Sequence, residues 1–490
     1  MSEQIYLREY RSVVDKCYVG FRPNGDSIKP VHIAGGSLRC IYGASANTRK
    51  IKKLSYVTDA GGKIPAGNEL ETVLNDLLDK DQIESEVPAN DLESMRNVMQ
   101  KLLAADKGVY SGVKDGLVSY SAGSKYFLTK PAMYEDTGEF IGGIIRAYCP
   151  EMSIYIKSVL DKANDPISLL FAPVLDDEMD AFESLRHEDL PAFQDANPSM
   201  KWYLAGLEEG GKCLMKNFEK HPNPLTQLRL FNFFCIFQLI RYLTMLEAFY
   251  CGESIRPILL DFTGMAPNQS SVARASEMSY TQMHKSINRF YAWGYAQRLE
   301  IFGKDELMAS ETPMYEQSKK ISKAGKKELD TLWEMAKERA VLCSTDEEVR
   351  LVFGETMYDM LALEASSHPV NCLKILGTQS GILYPPDKMH PNKRFVLSQD
   401  VLEMLLRSCV NQDEVLSGME MRNRLWERFG VIIGGSTFEL DKLQENNMIL
   451  QVDEDSLENN FSSFASTLES MDFAEVMADG ILQIRLGGID

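Results

Sequence analysis

Short runs of alternating apolar and polar residues fill the first part of the chain and predict β-strands. Dipeptides that favour turns separate these runs, as at Asn24-Gly25, Gly35-Gly36 and Gly61-Gly62. The predicted strands are Ile5–Arg8, Cys17–Phe21, Val31–Ala34, Leu38–Tyr42, Leu54–Val57, Leu117–Ser121, Tyr126–Thr129, Phe140–Tyr148 and Ile167–Val174. Two amphipathic helices are predicted among them, at Glu69–Leu78 and Asp91–Ala105. We therefore expect an α+β N-terminal region over residues 1–175.

The pattern changes to a helical period after the acidic stretch Asp176–Asp189. The predicted helices are Met200–Glu219, Leu225–Tyr250, Ser271–Leu299, Thr312–Cys343 and Thr345–Ala365. One apolar run, Pro257–Phe262, is typical of a buried strand or an extended link. The very apolar segment Leu228–Tyr250 contains charged residues such as Arg229 and Arg241, so its uncharged run is too short to cross a bilayer. We expect a mainly α-helical middle domain over residues 176–380, with a buried core helix at Leu228–Tyr250.

A compact C-terminal unit is predicted over residues 381–490, and a Pro-rich loop at Tyr384–Asp387 precedes its first helix. Its predicted elements are helices at Gln399–Ser408, Glu414–Phe429, Phe438–Asn446 and Leu457–Met471, then a hairpin over Ala474–Leu486. The hairpin turns at Asp479-Gly480, a pair that favours tight two-residue turns. This order predicts a winged-helix-like domain. The expected fold class is thus α+β, with a mixed N-terminal region, a mainly helical middle and a winged-helix-like C-terminal domain.

The charge of the C-terminal unit is opposite to that of a DNA-binding protein. From Gln451 to Asp490 there are nine acidic residues and one basic residue, Arg485. A protein that grips the DNA backbone gains affinity from Lys and Arg side chains that displace counterions. Because those side chains are absent where a recognition helix and wing are predicted, this unit is expected to contact a protein.

Composition agrees with a soluble protein that bare nucleic acid and anionic membranes repel. The chain has 490 residues and a net charge of −19 at pH 7. Its nine cysteines are scattered without a CxxC pair, which favours buried thiols in a reducing cytoplasm over disulfides or a zinc site. The N-terminal residues lack the apolar segment of a signal peptide. We expect a cytoplasmic protein with no membrane partner.

Two basic stretches are candidates for nucleic-acid binding. The first is the cluster of Arg49, Lys50, Lys52 and Lys53, and the second is the face of a predicted helix that carries Lys285 and Arg289 among aromatic residues. The alternative interpretation is a solvated loop for the first cluster and a cationic solvent face of a core helix for the second. That alternative is the commoner origin of both patterns.

The C-terminal unit carries its own cationic side chains on the second predicted helix. Arg422, Arg424 and Arg428 lie there beside Trp426, and Lys393 and Arg394 precede the unit's first helix. In an otherwise acidic unit they form its cationic surface. We predict partner binding through Arg422, Arg424, Trp426 and Arg428.

No catalytic constellation is evident in the sequence. The segment Gly206–Cys213 almost matches the phosphate-binding loop GxxxxGK[ST], but a cysteine replaces the essential hydroxyl residue, and Glu208 and Glu209 would repel phosphate. Asp261 ends an apolar run as a magnesium-binding aspartate would, yet it is better interpreted as capping the turn at Thr263-Gly264. The six histidines are far apart and lack metal-ligand spacing. We therefore predict no catalytic residue, metal or cofactor.

Three stretches resemble large uncharacterised proteins of bacterial anti-phage defence gene clusters, which lie beside an ATPase or a nuclease. They are Pro257–Gly264 leading into Ser271–Trp293, Gly381–Pro385 through Lys393–Phe395, and Arg424–Gly430. Together they cover about a quarter of the chain, and none is a catalytic signature. The resemblance implies a subunit of a DNA-surveillance or restriction assembly.

These observations predict a non-catalytic structural or adaptor subunit of a multi-protein bacterial defence complex. Its expected partners are other protein subunits, such as an ATPase or nuclease encoded nearby, and it would meet nucleic acid through the complex. One alternative is a direct nucleic-acid-binding protein. Another is a diverged metal-dependent nuclease whose acidic residues are distant in sequence.

Overall fold

The computed structural model describes residues 5–24, 28–46, 125, 137–162, 179–181, 187–220, 223–252, 255–314, 323–363, 368–388, 390–446, 452–478 and 480–486. Several predictions lie outside these residues. They are the strands Leu54–Val57, Leu117–Ser121, Tyr126–Thr129 and Ile167–Val174, the helices Glu69–Leu78 and Asp91–Ala105, and the basic cluster Arg49, Lys50, Lys52 and Lys53.

Helices dominate the described part of the chain, and the strands are short. The first helices are α1 (Leu7–Val14), α2 (Pro30–Tyr42), α3 (Thr137–Tyr148), α4 (Pro150–Asp161), α5 (Pro191–Gln194), α6 (Pro198–Glu219), α7 (Pro224–Cys251) and α8 (Ser271–Arg298). The later ones are α9 (Lys304–Ala309), α10 (Lys323–Val341), α11 (Asp346–Ala362), α12 (Pro369–Gln379), α13 (Gln399–Arg407), α14 (Gly418–Phe429), α15 (Thr437–Glu445) and α16 (Glu454–Ser470). The strands are β1 (Ala44–Ala46), β2 (Met179–Ala181), β3 (Ile258–Leu259), β4 (Leu383–Tyr384), β5 (Arg394–Phe395), β6 (Val415–Ser417), β7 (Val431–Ile432), β8 (Ala474–Val476) and β9 (Leu482–Arg485).

The strands predicted at the N-terminus are wrong wherever the structure describes them. Ile5–Arg8 enters α1, Cys17–Phe21 overlaps a π-helical turn at Asp15–Val19, and Val31–Ala34 and Leu38–Tyr42 both belong to α2. The predicted strand Phe140–Tyr148 lies in α3. Apolar residues that alternate with polar ones over four or five positions also occur on the buried side of a helix. Only a longer stretch of sequence distinguishes the helical period from the strand period.

Glycines explain why α2 and α3 look so little like helices in the sequence. Gly35 and Gly36, predicted to form a turn, lie inside α2. A Cβ at Gly36 would come within 2.8 Å of the Gly138 Cα, and one at Gly142 within 2.7 Å of the Ser37 Cα. The two backbones therefore approach too closely for any side chain at these positions. Glycine lowers helix propensity but permits this contact, so tertiary packing overrides the local preference.

The helical pattern of the middle region is confirmed at α6, α7, α8 and α11, whose bounds lie within a few residues of those predicted. The prediction for Thr312–Cys343 is wrong at its start, because Met314 pairs with the N-terminal segment. The Met314 N–H donates to the Ile5 carbonyl at 2.7 Å, and the Leu7 N–H donates to the Met314 carbonyl at 3.1 Å.

Helix α7 is a core helix, as predicted. Residues Thr226–Cys251 have the length and apolar composition that a membrane-spanning helix requires, but 94% of their most apolar window is buried inside the protein. A buried hydrophobic cluster joins α7 to residues of all three predicted regions, such as Phe140, Phe234 and Leu405. The domain boundaries at residues 175 and 380 stay predictions.

The last hundred residues contain helices and a small antiparallel sheet in the predicted order. Strand β9 lies between β6 and β8, with Leu416 opposite Ile484 and Ala474 also opposite Ile484. The helix predicted at Glu414–Phe429 begins only at Gly418. Ser417 caps it, since its hydroxyl accepts the Glu420 N–H at 3.3 Å while the Glu420 carboxylate accepts the Ser417 N–H at 2.8 Å.

Candidate functional site

Three distant segments meet at a small parallel pairing of strands. β3 lies beside β7, with Ile258 opposite Val431. The Leu260 N–H donates to the Ile432 carbonyl at 2.9 Å, and the Asp261 N–H donates to the Phe395 carbonyl at 2.9 Å. The three stretches that carry the resemblance thus lie against one another, although up to 170 residues separate them in the sequence.

A buried asparagine on α16 fixes this junction from the other side. The Asn460 amide nitrogen donates to the carbonyls of Leu260, at 2.8 Å, and Ile433, at 2.7 Å. Its amide oxygen accepts the Phe262 N–H at 2.8 Å. One side chain therefore satisfies backbone groups of two segments that would otherwise be buried without partners.

Asp261 caps the turn after β3, as predicted. Its Oδ1 accepts the Thr263 N–H at 2.9 Å and the Thr263 hydroxyl at 2.6 Å. Its Oδ2 lies 3.2 Å from Nε of Arg394, and the Asp261 side chain is 0% exposed. The pair joins the end of β3 to β5 and balances the buried charge of the carboxylate.

A pocket of about 490 Å³ opens beside this ion pair. It lies between the turn after β3, the first turns of α8 and the loop that joins β4 to β5. Its lining consists of Gly264, Ala266, Pro267, Asn268, Glu277, Tyr384, Pro385, His390, Asn392, Lys393 and Arg394. The volume lies in the range of small-molecule sites in proteins.

Lys393 is buried in the wall of this pocket, with 1% of its surface exposed. Its Nζ donates to the carbonyls of Pro385 and Asp387, both at 2.6 Å. Burial, together with the nearby charge of Lys374, lowers the pKa of Lys393 to about 8. An ammonium group carries three donors, so one N–H of Lys393 remains after these two bonds.

Arg394 lies beside Lys393 and is held by three contacts. Besides the approach of Nε to Asp261, its Nη1 donates to the Met265 carbonyl. Its guanidinium carbon is 5.2 Å from the centre of the Tyr384 ring. Among the described residues Nη2 has no hydrogen-bond partner, so the guanidinium keeps donors that the protein does not use.

The arginines predicted for partner binding all have acceptors within the chain. Arg424 forms a two-pronged pair with Glu414, at 2.5 and 2.8 Å, and Nε of Arg428 lies 3.3 Å from the Glu209 carboxylate. Nη1 of Arg422 donates to Glu458 at 3.2 Å. The structure thus brings these arginines onto one helix and pairs each of them with a carboxylate of the chain, and partner binding through them stays a prediction.

Trp426, the remaining predicted partner-binding residue, is half-buried on α14. Its ring lies edge-on to Phe438, with centroids 5.9 Å apart. It also packs against a small apolar cluster that contains Ile432 and Leu443. The contacts of Trp426 in the structure are therefore those of a residue that packs α15 against α14.

The predicted nucleic-acid face of α8 contains one engaged and one exposed cation. Arg289 donates to both Glu247 oxygens, at 2.6 and 3.2 Å, and Arg256 also donates to Glu247 at 3.3 Å. Lys285 is exposed one turn away. Lys285 and Arg289 lie on α8 as predicted, but Glu247 already balances the charge of Arg289. Nucleic-acid binding by Lys285 and Arg289 stays a prediction.

The segment that resembles a phosphate loop is part of α6 and forms no loop, in agreement with the predicted helix Met200–Glu219. A Cβ at Gly206 would meet the Arg428 carbonyl oxygen at 1.9 Å, and one at Gly210 would meet the Phe429 ring at 2.7 Å. These glycines let α6 pack against the end of α14. Burial raises the pKa of Cys213, so this residue is a protonated thiol in the interior.

A second buried polar group lies on the opposite end of α8. Tyr291 donates to Asp15 at 2.8 Å, and Arg11 donates to the same carboxylate at 3.3 Å. Burial raises the pKa of Asp15 to about 6 despite these partners. The group fixes α1 against α8. Across the described ranges, no three His, Cys, Asp or Glu side chains come together as a metal site would require.

No known protein family matches the chain, and no curated protein and no solved structure matches it. The sequence signal for the pocket was partial. Lys393 and Arg394 stood out as cations of an acidic unit, whereas Tyr384 and Pro385 were interpreted only as a loop between domains. Asp261 and Glu277 come from another predicted region, so the pocket itself had no local signature.

Proposed function

We propose that this chain is a non-catalytic adaptor subunit of a multi-protein complex, and that its C-terminal unit binds a partner protein. The order of α13, β6, α14, β7, α15, α16, β8 and β9, with β9 between β6 and β8 and with β7 paired to β3, supports a winged-helix-like domain. In such a domain α16 would hold the position of the recognition helix and the β8–β9 hairpin that of the wing.

One observation carries the proposal. Helix α16 has no Lys or Arg, and the carboxylates of Asp453, Glu454, Asp455, Glu458, Glu469, Asp472 and Glu475 are exposed along it and the following turn. The arginines of α14 already have intramolecular acceptors, which leaves Arg485 on β9 as the exposed basic residue of the described hairpin. The surface that would face DNA is therefore anionic and would repel phosphate.

Exposed apolar residues at the hairpin give this anionic surface a centre for protein contact. Val476, Met477 and Ile481 lie there, with Ile481 50% exposed. Apolar side chains surrounded by charge are typical of a protein interface. A partner with a basic rim and an apolar centre would complement this surface. We call it the acidic wing surface and define it as Asp453–Asp455, Glu458, Glu469, Asp472, Glu475–Met477 and Ile481.

The biological setting of the proposal rests on the resemblance to defence-cluster proteins. From it we propose that the partner is an ATPase or nuclease subunit encoded nearby and that the complex is in the bacterial cytoplasm. The nine cysteines are all free thiols, which supports a reducing compartment.

Co-purification tests the proposal. The tagged chain is expressed with the products of its neighbouring genes, and the lysate is treated with nuclease before capture. We expect a stoichiometric complex that survives the nuclease. If the chain instead purifies alone and binds duplex DNA with an affinity that falls steeply with salt, the direct nucleic-acid-binding alternative replaces the adaptor.

A further inference from the structure

We propose that the pocket between β3, α8 and the β4–β5 loop binds a small phosphorylated molecule of nucleoside-monophosphate size. Its phosphate would accept from Lys393 and Arg394, and its ring would lie on Tyr384. This role differs from the adaptor function, since the pocket is formed by other residues than the acidic wing surface.

Unused donors are the first reason. Lys393 keeps one N–H after its two backbone bonds, and Arg394 keeps the Nη2 donors, with no acceptor for them among the described residues. Both side chains are at least nine-tenths buried and both line the cavity. Cationic donors without acceptors at a cavity favour an anion, and an oxyanion supplies the acceptors that the protein lacks.

The second reason is that these donors are held in place before any ligand arrives. Lys393 is fixed by two carbonyls of its own loop, and Arg394 is fixed by Asp261 and the Met265 carbonyl. The protein has therefore already lost the side-chain freedom that binding would otherwise remove. Phosphate fits better than carboxylate, because its three acceptor oxygens can meet Nη2 of Arg394 and Nζ of Lys393 together and its larger charge balances both cations.

The rest of the lining matches the remainder of a nucleotide. The Tyr384 side chain is 46% exposed and offers a flat aromatic face on which a base can stack. Glu277 is half-buried in the same lining, and a carboxylate there can accept from ribose hydroxyl groups. A volume of about 490 Å³ accommodates one such molecule, whereas a nucleic-acid chain would need an open basic groove.

Calorimetric titration with four compounds tests this assignment. Adenosine 5′-monophosphate carries every proposed group, ribose 5-phosphate lacks the base, adenosine lacks the phosphate, and inorganic phosphate lacks both. We expect the monophosphate to bind, ribose 5-phosphate to bind about 10-fold more weakly, and adenosine at least about 100-fold more weakly. Equal affinity for inorganic phosphate and the monophosphate would overturn the nucleotide assignment, and absence of binding by the monophosphate at millimolar concentration would overturn the site.

Variants locate the binding. Lys393→Met should weaken the monophosphate about 10-fold or more, and Lys388→Met, at an exposed lysine of the same loop, should not change it. Since Lys393 also supports its loop, Tyr384→Leu provides a second variant at a half-exposed residue and should lower affinity about 10-fold for the monophosphate but not for ribose 5-phosphate. Unchanged affinity in both Lys393→Met and Tyr384→Leu would contradict the proposal.

Discussion

Two groups of cations in this chain illustrate opposite outcomes of folding. The arginines of α14 each meet a carboxylate of the same chain, as Arg424 meets Glu414 at 2.5 Å. Lys393 and Arg394 are held mainly by backbone carbonyls and one aspartate, and they keep donors that face a cavity. In the sequence the two groups look alike, as basic residues in an acidic unit.

The difference shows that a basic residue indicates a binding surface only when its donors are left unsatisfied by the fold. On α14 the intramolecular carboxylates cancel the positive charge, and the acidic wing surface dominates what a partner meets. At the pocket the positive charge is only partly cancelled. The acidic region is therefore proposed to bind a protein and the pocket an oxyanion.

Breaking the buried Asp261–Arg394 ion pair beside the pocket should have the largest effect on the free energy of unfolding. Asp261→Asn leaves the buried Arg394 without its counterion, and we expect the free energy of unfolding to fall by about 3–5 kcal/mol. The matched change on α14 is Glu458→Gln, whose carboxylate is 57% exposed, and it should cost less than about 1 kcal/mol. Urea unfolding of both variants measures the contrast, and equal losses would mean that the two ion pairs do not differ as described.

Adding a side chain where α6 packs against α14 should have the next largest effect on the free energy of unfolding. Gly206→Ala places a methyl group 1.9 Å from the Arg428 carbonyl oxygen, so the helices must separate, and we expect a loss of about 1–3 kcal/mol. Gly303→Ala is the control, because its nearest neighbouring atom is 3.9 Å away. Thermal unfolding of the two variants compares them, and a Gly206→Ala protein as stable as the control would contradict the close packing.

The Glu414–Arg424 pair makes a contribution to stability that depends on pH in the acidic range. Hydrogen bonds from Arg424 lower the pKa of Glu414 from 4.5 to about 2, so its stabilisation is complete above about pH 4.5 and disappears as pH falls towards 2. Glu414→Gln should lose about 1–2 kcal/mol at pH 7, a value reduced for partial solvent exposure. Unfolding measured between pH 2 and pH 7 should show the difference from wild type vanishing at low pH, and a constant difference would refute this assignment.

The smallest effect is expected at the basic face of α8. Lys285→Gln should change the free energy of unfolding by less than about 0.5 kcal/mol, because the side chain is exposed. Arg289→Gln should cost about 1 kcal/mol, since Glu247, 4% exposed, keeps only Arg256. Chemical unfolding tests both values, and a DNA-binding assay at low salt tests the alternative function. Loss of DNA affinity in Lys285→Gln would favour direct nucleic-acid binding.

The sequence predicts the helices well where apolar residues repeat with a helical period over a long segment. α6, α7, α8 and α13 were predicted within a few residues because their apolar positions repeat over several turns. It failed at α2 and α3. Gly35-Gly36 resembles a turn signal and Phe140–Tyr148 resembles a strand, whereas Gly36, Gly138 and Gly142 permit a contact between residues about 100 positions apart. No local pattern contains that information.

The candidate sites show the same limit. The acidity of Gln451–Asp490 is evident from the sequence, because it follows from counting charged residues in one segment. The pairing of Arg424 with Glu414 and the convergence of Asp261, Tyr384 and Lys393 depend on contacts between segments, and spacing along the chain does not encode them. The pocket could only be recognised once the three segments were seen to meet.

The most direct test of the central claim is the affinity of the co-purified partner protein for a charge-reversed acidic wing surface. The double variant Asp455→Lys/Glu475→Lys changes two exposed carboxylates that have no described partner, and Asp330→Lys/Glu338→Lys on α10 makes the same change in net charge elsewhere. The account predicts a loss of at least about 10-fold for the first variant and little change for the second. Equal affinity of both variants and the wild type would show that the partner does not bind the acidic wing surface.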